Sequence, residues 1–421
     1  MSFTSRRGFT AAQQIFISAA LGWMLAHSPA FAQSSVPSST ASISLVQALE
    51  LAWQRSPTAL TYPSKSQEIA ARQQAAQGIL AGSPAVQLGH RTDRITGNAG
   101  LREFEAELVL SLWNAATRGA TQRQLAAESR SLEPAQQAAK LQLAGQLREL
   151  AGSIALAQLE RELAQQKLSE SVQLTSDMTR RLRAGDVARL DALQSQLVQA
   201  QAQANLNAVR AQLQQSLLQW QGLTGTPLIP AWSDTPLPSN TMTVPESHPS
   251  LVAAQAQLDN AKARLNLAEA DRADPMDLSI GMNRQRSAFG NAAERNLRLA
   301  LRIPLGISSR NAPRIAAARV ELESVQAELD HQRRMLTSEL EQAHATLGQA
   351  RATEQASSQR LQLAQQMHEI VLRAYNLGER DLPARLRADS EKFEAELGAA
   401  RSQLETRRAL SKLHQQLGLL P

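Results

Sequence analysis

The chain has 421 residues, no cysteine and a formal net charge of +6. Without cysteine it can have neither a disulfide nor a lipid-modified N-terminal cysteine. A basic chain can bind nucleic acid, but here the basic residues alternate with acids along helices and only 3% of residues are aromatic, so no nucleic-acid partner is predicted.

The first 32 residues have the pattern of a secretory signal peptide. Arg6 and Arg7 precede an apolar run, and small residues surround the cleavage point that the pattern predicts after Ala32. The run is shorter than the roughly 20 residues that cross a bilayer, which argues against a transmembrane anchor. We therefore expect residues 1–32 to be a signal peptide, followed by a flexible, serine-rich segment at residues 33–44.

The rest of the chain contains one structural unit twice. Pro57 and Pro249 are separated by the same number of residues as Gly89 and Gly281. Because this period is close to half the chain, it is too long for a solenoid repeat and indicates duplication of a whole unit. The two predicted repeats cover residues 45–221 and 249–421.

Two segments of alternating apolar and polar residues precede the long helix of each repeat. They lie at about residues 85–112 and 276–305, and glycine-containing turns divide each into two strands. Alternation gives every strand an apolar face and a polar face. The charged residues predicted on the polar face are Glu103, Glu105, Glu107, Arg298 and Arg302.

Four strands cannot close into a barrel, which leaves two interpretations. In one, the strands form a sheet whose apolar face packs on helices. In the other, several chains share a membrane barrel, with the apolar face toward lipid and the Glu and Arg side chains in a watery lumen. The signal peptide and the duplication favour the shared barrel.

Each repeat ends in a long helical hairpin, at residues 114–220 and 309–417. Alanine, glutamine, leucine, arginine and glutamate dominate these hairpins, and apolar residues recur every three or four positions. Gly185 and Gly378 lie where a left-handed residue would end the first helix of each hairpin. Pro134 predicts a bend in the first long helix. The pattern is typical of antiparallel coiled coils, which suit reach and assembly better than catalysis.

The segment between the repeats, residues 222–248, contains five prolines. This composition predicts a non-helical connector that crosses the outside of the helical bundle.

The sequence predicts neither an enzyme nor a bound metal or cofactor. No nucleophile has a nearby base, no glycine loop could cradle a phosphate, and the seven histidines are scattered without ligand spacing. No segment after the signal peptide approaches 18 consecutive apolar residues, so a helical membrane span is not predicted either.

With two copies of a helix, a β-hairpin and a long helical hairpin after a signal peptide, the chain resembles the TolC-type outer-membrane efflux channels. The only one of the leading helices with predicted bounds covers residues 45–55. Local phrases carry the resemblance as well: Leu45-Val-Gln-Ala-Leu-Glu-Leu-Ala52, Ser56-Pro57, His248-Pro249-Ser-Leu251 and Ile303-Pro304-Leu305-Gly306. The resemblance implies a mainly α fold with a membrane β-barrel contribution. Three chains would supply a twelve-stranded barrel in the outer-membrane lipid and a periplasmic helical tunnel.

The resemblance also implies partners and a substrate class. Channels of this family are passive homotrimers that receive substrate from an inner-membrane pump, here expected to be proton-driven, through a periplasmic adaptor. The phrase Ile303 to Gly306 is most similar to the CzcC-like branch that serves cobalt, zinc and cadmium pumps. The alternatives are export of drugs or other small molecules, a periplasmic adaptor, or a structural coiled-coil protein of the envelope.

Finally, the resemblance implies a gate at the hairpin turns. Asp191 matches the aspartate of the first turn, and Tyr375 and Arg380 match the tyrosine and arginine of the second. In the closed channel, Asp191 would accept hydrogen bonds from Tyr375 and Arg380. The chain departs from the family where some members place acidic residues one turn beyond this gate, because it has Arg387 there. Three Arg387 side chains would oppose cation binding at the constriction.

Overall fold

The computed structural model describes residues 42–231, 242–306 and 308–421. The predicted signal peptide, most of the segment at 33–44 and the central part of the connector lie outside the described residues.

The described chain is mainly helical with a small sheet, as the sequence predicts. Its elements in chain order are β1 (Ile43–Ser44), α1 (Leu45–Arg55), α2 (Pro57–Gln77), β2 (Ala85–Thr92), β3 (Arg102–Leu112), α3 (Ala115–Ala184), α4 (Arg189–Thr224), β4 (Pro230–Ala231), α5 (Pro249–Ala270), β5 (Met276–Arg286), β6 (Glu294–Arg302), α6 (Ser308–Asn376) and α7 (Leu382–Gln416).

The chain enters the helical body through two capped helices. Ser44 and Gln47 form a capping box at the start of α1, and the Ser56 hydroxyl accepts a hydrogen bond from the Ala59 N–H in front of α2. Strand β1 pairs in parallel with β4, so the beginning of the first repeat is tied to the connector between the repeats. Trp53 of α1 and Trp220 of α4 are both buried in the core at this level.

The long helices pack as two antiparallel hairpins, α3 with α4 and α6 with α7. Helix α3 has 70 residues, which corresponds to about 100 Å at 1.5 Å per residue. It continues through Pro134 without ending. Small residues such as Ala144, Ala151 and Ala157 are at most 3% exposed on its packed side, which lets the neighbouring helices approach closely.

Helices α2 and α5 complete the body. Each lies against the long helix of its own repeat, α2 on α3 and α5 on α6, and α5 also contacts α3. The sequence predicts a helix at the start of each repeat but gives no bounds for α2 or α5. The alanines of α2 are spread around the helix and show little helical periodicity. In α5, by contrast, buried residues follow a helical spacing: Leu251, Ala254, Leu258 and Ala261. Helix α4 also extends to Thr224, into the first residues of the expected connector.

The four long strands form one antiparallel sheet in the order β2-β3-β5-β6. Each repeat supplies one hairpin, and the two hairpins join where Ser111 of β3 pairs with Asp277 of β5. The apolar face of this sheet is exposed, so the alternative in which it packs on the helices is wrong. Seven apolar side chains on it are more than half exposed: Val86, Leu88, Phe104, Met282, Leu297, Leu299 and Leu301.

Candidate functional site

The sheet separates its side chains into two chemically different faces. Residues that pair directly across an antiparallel ladder lie on the same side, so the register assigns each residue to a face. One face carries every acidic residue of the four strands. These are Glu103, Glu105, Glu107, Asp277 and Glu294.

Part of this acidic charge is neutralised within the polar face. The guanidinium of Arg298 lies 3.9 Å from Glu105 Oε1, and that of Arg302 lies 3.9 Å from Asp277 Oδ2. Asp277 also accepts a 2.7 Å hydrogen bond from the Ser111 hydroxyl. Because these arginines are mostly exposed, each pair contributes little stability. The register also places all five residues predicted as lumen charges on this one face: Glu103, Glu105, Glu107, Arg298 and Arg302.

The opposite face is apolar from the helical end almost to the hairpin loops. Its exposed apolar side chains lie on all four strands, with Leu297 81% and Leu88 70% exposed. An exposed apolar surface of this kind marks a contact with protein or membrane in the functional state.

The far ends of the helical hairpins form a second candidate site. Gly185 and Gly378 have φ values of +82° and +79°, the left-handed conformation expected of a glycine that ends a helix. Beside these turns the two hairpins of one chain pack together through Leu174 and Met178 of α3 and Leu382 of α7. The Tyr375 hydroxyl donates to Met178 Sδ at 3.8 Å.

Within the described part of one chain, no side-chain hydrogen bond or ion pair joins the predicted gate residues to one another. Asp191 lies half-buried in the first turn of α4, where a carboxylate favours the helix N-terminus. Arg380 and Arg387 are exposed. Within the described parts of the chain, neither Asp191 nor Arg380 has a side-chain hydrogen bond or ion pair. Both remain available to a neighbouring chain.

A polar cluster near this site was not predicted from the sequence. His368 Nε2 lies 2.8 Å from Asp389 Oδ1, and the Arg385 guanidinium lies over the Tyr375 ring at 5.0 Å and 3.7 Å from Asp389. His368, Arg385 and Asp389 border a cavity of about 450 Å³. The sequence gives no signal for the cluster, because His368 lies on α6, Arg385 and Asp389 lie on α7, and no motif links these three residues.

Lys167 lies in the same cavity, with its ammonium group 4.1 Å from the Phe393 ring centre. Burial lowers the pKa of Lys167, and the nearby carboxylates of Glu394, Asp389 and Glu170 oppose this shift. The cluster is therefore a packed set of compensated charges beside the hairpin turns.

Within the residues described, no helix is long and apolar enough to cross a membrane. The same residues contain no group of three or more His, Cys, Asp or Glu side chains that could hold a metal ion.

Comparisons with known proteins agree with this architecture. Residues 243–419, nearly the whole second repeat, match the family model for "Outer membrane efflux protein". Protein CyaE of Bordetella pertussis is 29% identical over 342 residues, which cover 75% of this chain and 71% of that protein. The family that this model describes consists of outer-membrane efflux proteins, in agreement with the expectation that the chain is a conduit rather than an enzyme.

Solved outer-membrane channels have the same fold. CusC superposes with a TM-score of 0.72 at 17% identity, over 90% of this chain and 93% of CusC. VceC of Vibrio cholerae has a TM-score of 0.70 at 16% identity, over 89% of this chain and 96% of VceC. The open MtrE channel of Neisseria gonorrhoeae has a TM-score of 0.70 at 15% identity, with 89% of each chain covered. These matches show the fold of the outer-membrane channels, and they do not distinguish the heavy-metal branch from other branches.

Proposed function

We propose that three copies of this chain form a passive exit duct through the outer membrane, continued by a helical tunnel in the periplasm. The single observation that supports this most is the sheet with one exposed apolar face and one charged face. A sheet that belonged to a water-soluble monomer would hide its apolar face against helices.

The sheet edges support a closed assembly of chains. Among residues 42–231, 242–306 and 308–421, strands β2 and β6 each have a pairing partner on one side only, which leaves a row of unpaired backbone groups on the other. Because β2 and β6 run in opposite directions, β6 of one chain can continue the antiparallel sheet into β2 of the next. Three chains with four strands each give a twelve-stranded barrel, which removes every edge and satisfies all backbone groups in lipid.

The helical hairpins supply the periplasmic part of the duct. At about 100 Å they are long enough to cross much of a periplasm, and their turns lie at the end remote from the sheet. A periplasmic adaptor bound at these turns and an inner-membrane pump, expected to be proton-driven, would deliver the substrate there. Asp191, Tyr375 and Arg380 would close the tunnel at this end through contacts between neighbouring hairpins, with Arg387 one turn beyond.

The substrate class proposed first is heavy-metal cations. The charged face of the sheet carries five acidic residues but three arginines (Arg91, Arg298 and Arg302), so the barrel lumen would have an excess of negative charge that favours cations. A conduit needs no metal ligands of its own. Drugs or other small molecules are the second candidate, favoured by the Arg387 side chains, which would repel cations at the gate.

Membrane insertion can be tested with two single variants that place arginine at neighbouring positions on opposite faces of the sheet. Leu299→Arg places a charge on the apolar face, where it should greatly reduce the yield of heat-resistant trimers in the outer-membrane fraction, because a charge facing lipid costs about 2–4 kcal/mol at the bilayer midplane. Ala300→Arg, one residue further on the charged face, should leave that yield nearly unchanged.

Two outcomes would contradict the proposed function. Equal yields for both variants would mean that the apolar face does not contact lipid. Recovery of the wild-type protein as a periplasmic monomer in aqueous buffer would instead support an adaptor or a structural coiled-coil protein.

A further inference from the structure

The apolar face of the sheet ends in a group of arginines next to the hairpin loops. Four arginines lie on this face, all within the last residues before the loops or the first residues after them: Arg102, Arg284, Arg286 and Arg295. They form two adjacent rows across the sheet, about 7 Å apart along the strands. We call them the arginine rim.

The rim brings like charges together. Arg284 pairs directly with Arg295 across β5 and β6, and Arg102 pairs directly with Arg286 across β3 and β5. Directly opposed like charges destabilise an antiparallel pair. The rim has no compensating carboxylate on its own face, because every acid of the four strands lies on the other face.

One rim residue is held in place by the loops. Arg286 Nε donates to the Gly100 carbonyl at 3.4 Å, and its guanidinium lies 5.6 Å from the Phe289 ring centre. The loops are joined by the Phe289 N–H, which donates to the Ala99 carbonyl at 3.0 Å. Arg102, Arg284 and Arg295 are exposed and make no ion pair within the described ranges. The rim therefore presents guanidinium groups that need an anion from outside the chain.

We propose that the arginine rim binds the phosphate groups of lipids in the outer leaflet of the membrane. This inference rests on the proposed function, which puts the apolar face in lipid and the loops at the outer surface. The rim then lies at the boundary between hydrocarbon and headgroups, where basic side chains attract anionic lipid. Guanidinium groups bind phosphate through two parallel hydrogen bonds, and two opposed arginines could share one phosphate.

The chain offers a matched control on the opposite side of the same sheet. Arg91 is exposed and pairs with Glu103, the residue next to Arg102 of the rim. Its side chain therefore lies on the charged face of the sheet. Arg91→Gln removes one arginine, against two in the test variant, within one residue of the rim's position along the strands and without changing the apolar face.

The experiment measures lipid binding to the full-length protein in detergent. The probes are lipid A with both phosphates, lipid A without phosphates, and inorganic phosphate, and native mass spectrometry counts lipid bound per trimer. We expect the double variant Arg284→Gln/Arg295→Gln to bind phosphorylated lipid A about tenfold or more weakly than wild type, and Arg91→Gln to stay within about twofold. Dephosphorylated lipid A should bind weakly to all three proteins.

Equal binding of phosphorylated lipid A by all three proteins would overturn the proposal. Inorganic phosphate that displaces lipid A at similar concentration would also overturn it, since the rim would then be a site for a free anion. Single-channel conductance of the same samples separates the two ideas. If the wild-type protein conducts but its lipid A binding does not depend on the rim arginines, only the lipid-binding proposal is refuted. If the wild-type protein neither conducts nor binds lipid A, the proposed channel function is refuted as well.

Discussion

At the residue scale, the hairpin turns offer the sharpest test of a gate. In one chain the Tyr375 hydroxyl contacts Met178, and Arg380 extends into solvent. If neighbouring chains close the tunnel through these groups, Arg380→Ser combined with Tyr375→Phe should raise single-channel conductance in planar bilayers. Arg183→Ser, an exposed arginine of the other turn, serves as the control. Unchanged conductance in the double variant would remove these residues from the gate.

His248 makes a second prediction at this scale, because it is a buried helix cap that can titrate. Its Nδ1 accepts the Ser250 N–H at 3.2 Å, and the residue is 2% exposed. Burial lowers the pKa of His248 below its usual value of 6.5. Between these two values the unfolded chain binds more protons than the folded chain, so stability falls as the pH drops below about 6.5.

His248→Asn keeps a cap acceptor and removes the titration. The midpoint of thermal unfolding should therefore fall more between pH 7.5 and pH 5 in wild type than in this variant. His248→Ala, which removes the acceptor, should lose about 0.5–2 kcal/mol already at pH 7.5. Identical pH dependence in wild type and His248→Asn would show that this histidine does not control acid stability.

The common face of the charged strand residues and the glycines of the hairpin turns could be predicted from the sequence, because each follows from local rules. Alternation assigns Glu103, Glu105 and Glu107 to one face, and a glycine after a long helix marks its end. The cluster around Asp389 could not be predicted, because His368 and Lys167 meet it only after three helices have packed. The opposed pairs of the arginine rim needed the strand register, which alternation alone does not give.

At the element scale, the end of α7 depends on a close contact with the start of α5. Gly418 has a φ of +74°, and a Cβ there would lie 2.7 Å from His248 Cδ2 and 2.8 Å from Pro249 Cδ. Gly418→Ala should therefore destabilise the protein by about 1–3 kcal/mol, measured as a lower midpoint of thermal unfolding. Gly222→Ala, which is helical and has no atom within 4 Å of its Cβ, should leave the midpoint unchanged or raise it slightly. Equal effects would contradict the contact.

Predictions of elements succeeded where periodicity was long or strict. The long helices and the four strands each repeat one pattern over many residues, so they were found near their observed positions. Helix α2 was missed because its alanines are spread around the helix and leave no stripe to detect, and the helix expected at the start of the second repeat was given no bounds. Pairing of β3 with β5 could not be predicted, since it depends on how two distant hairpins meet.

At the scale of the whole molecule, the charge of the lumen makes a prediction about ion selectivity. Replacing Glu103, Glu105 and Glu107 by Gln in each of three chains would remove nine carboxylates from the proposed barrel. The reversal potential in a salt gradient should then shift away from cation preference, while the three Glu→Asp replacements should retain it. A wild-type channel that already prefers anions would contradict the proposed cation substrate and favour other small molecules.

The joint between β3 and β5 also sets an order of events during folding. The Ser111–Asp277 hydrogen bond connects residues 166 positions apart, whereas the two helices of each hairpin meet through a short turn. Contacts between distant parts of a chain form slowly, because the intervening loop must first be ordered. We therefore expect the two helices of each hairpin to pair before the two β-hairpins join into one sheet. With this order, the continuous apolar face of the four-stranded sheet does not form until late in folding, which shortens the time for which that face is exposed to water.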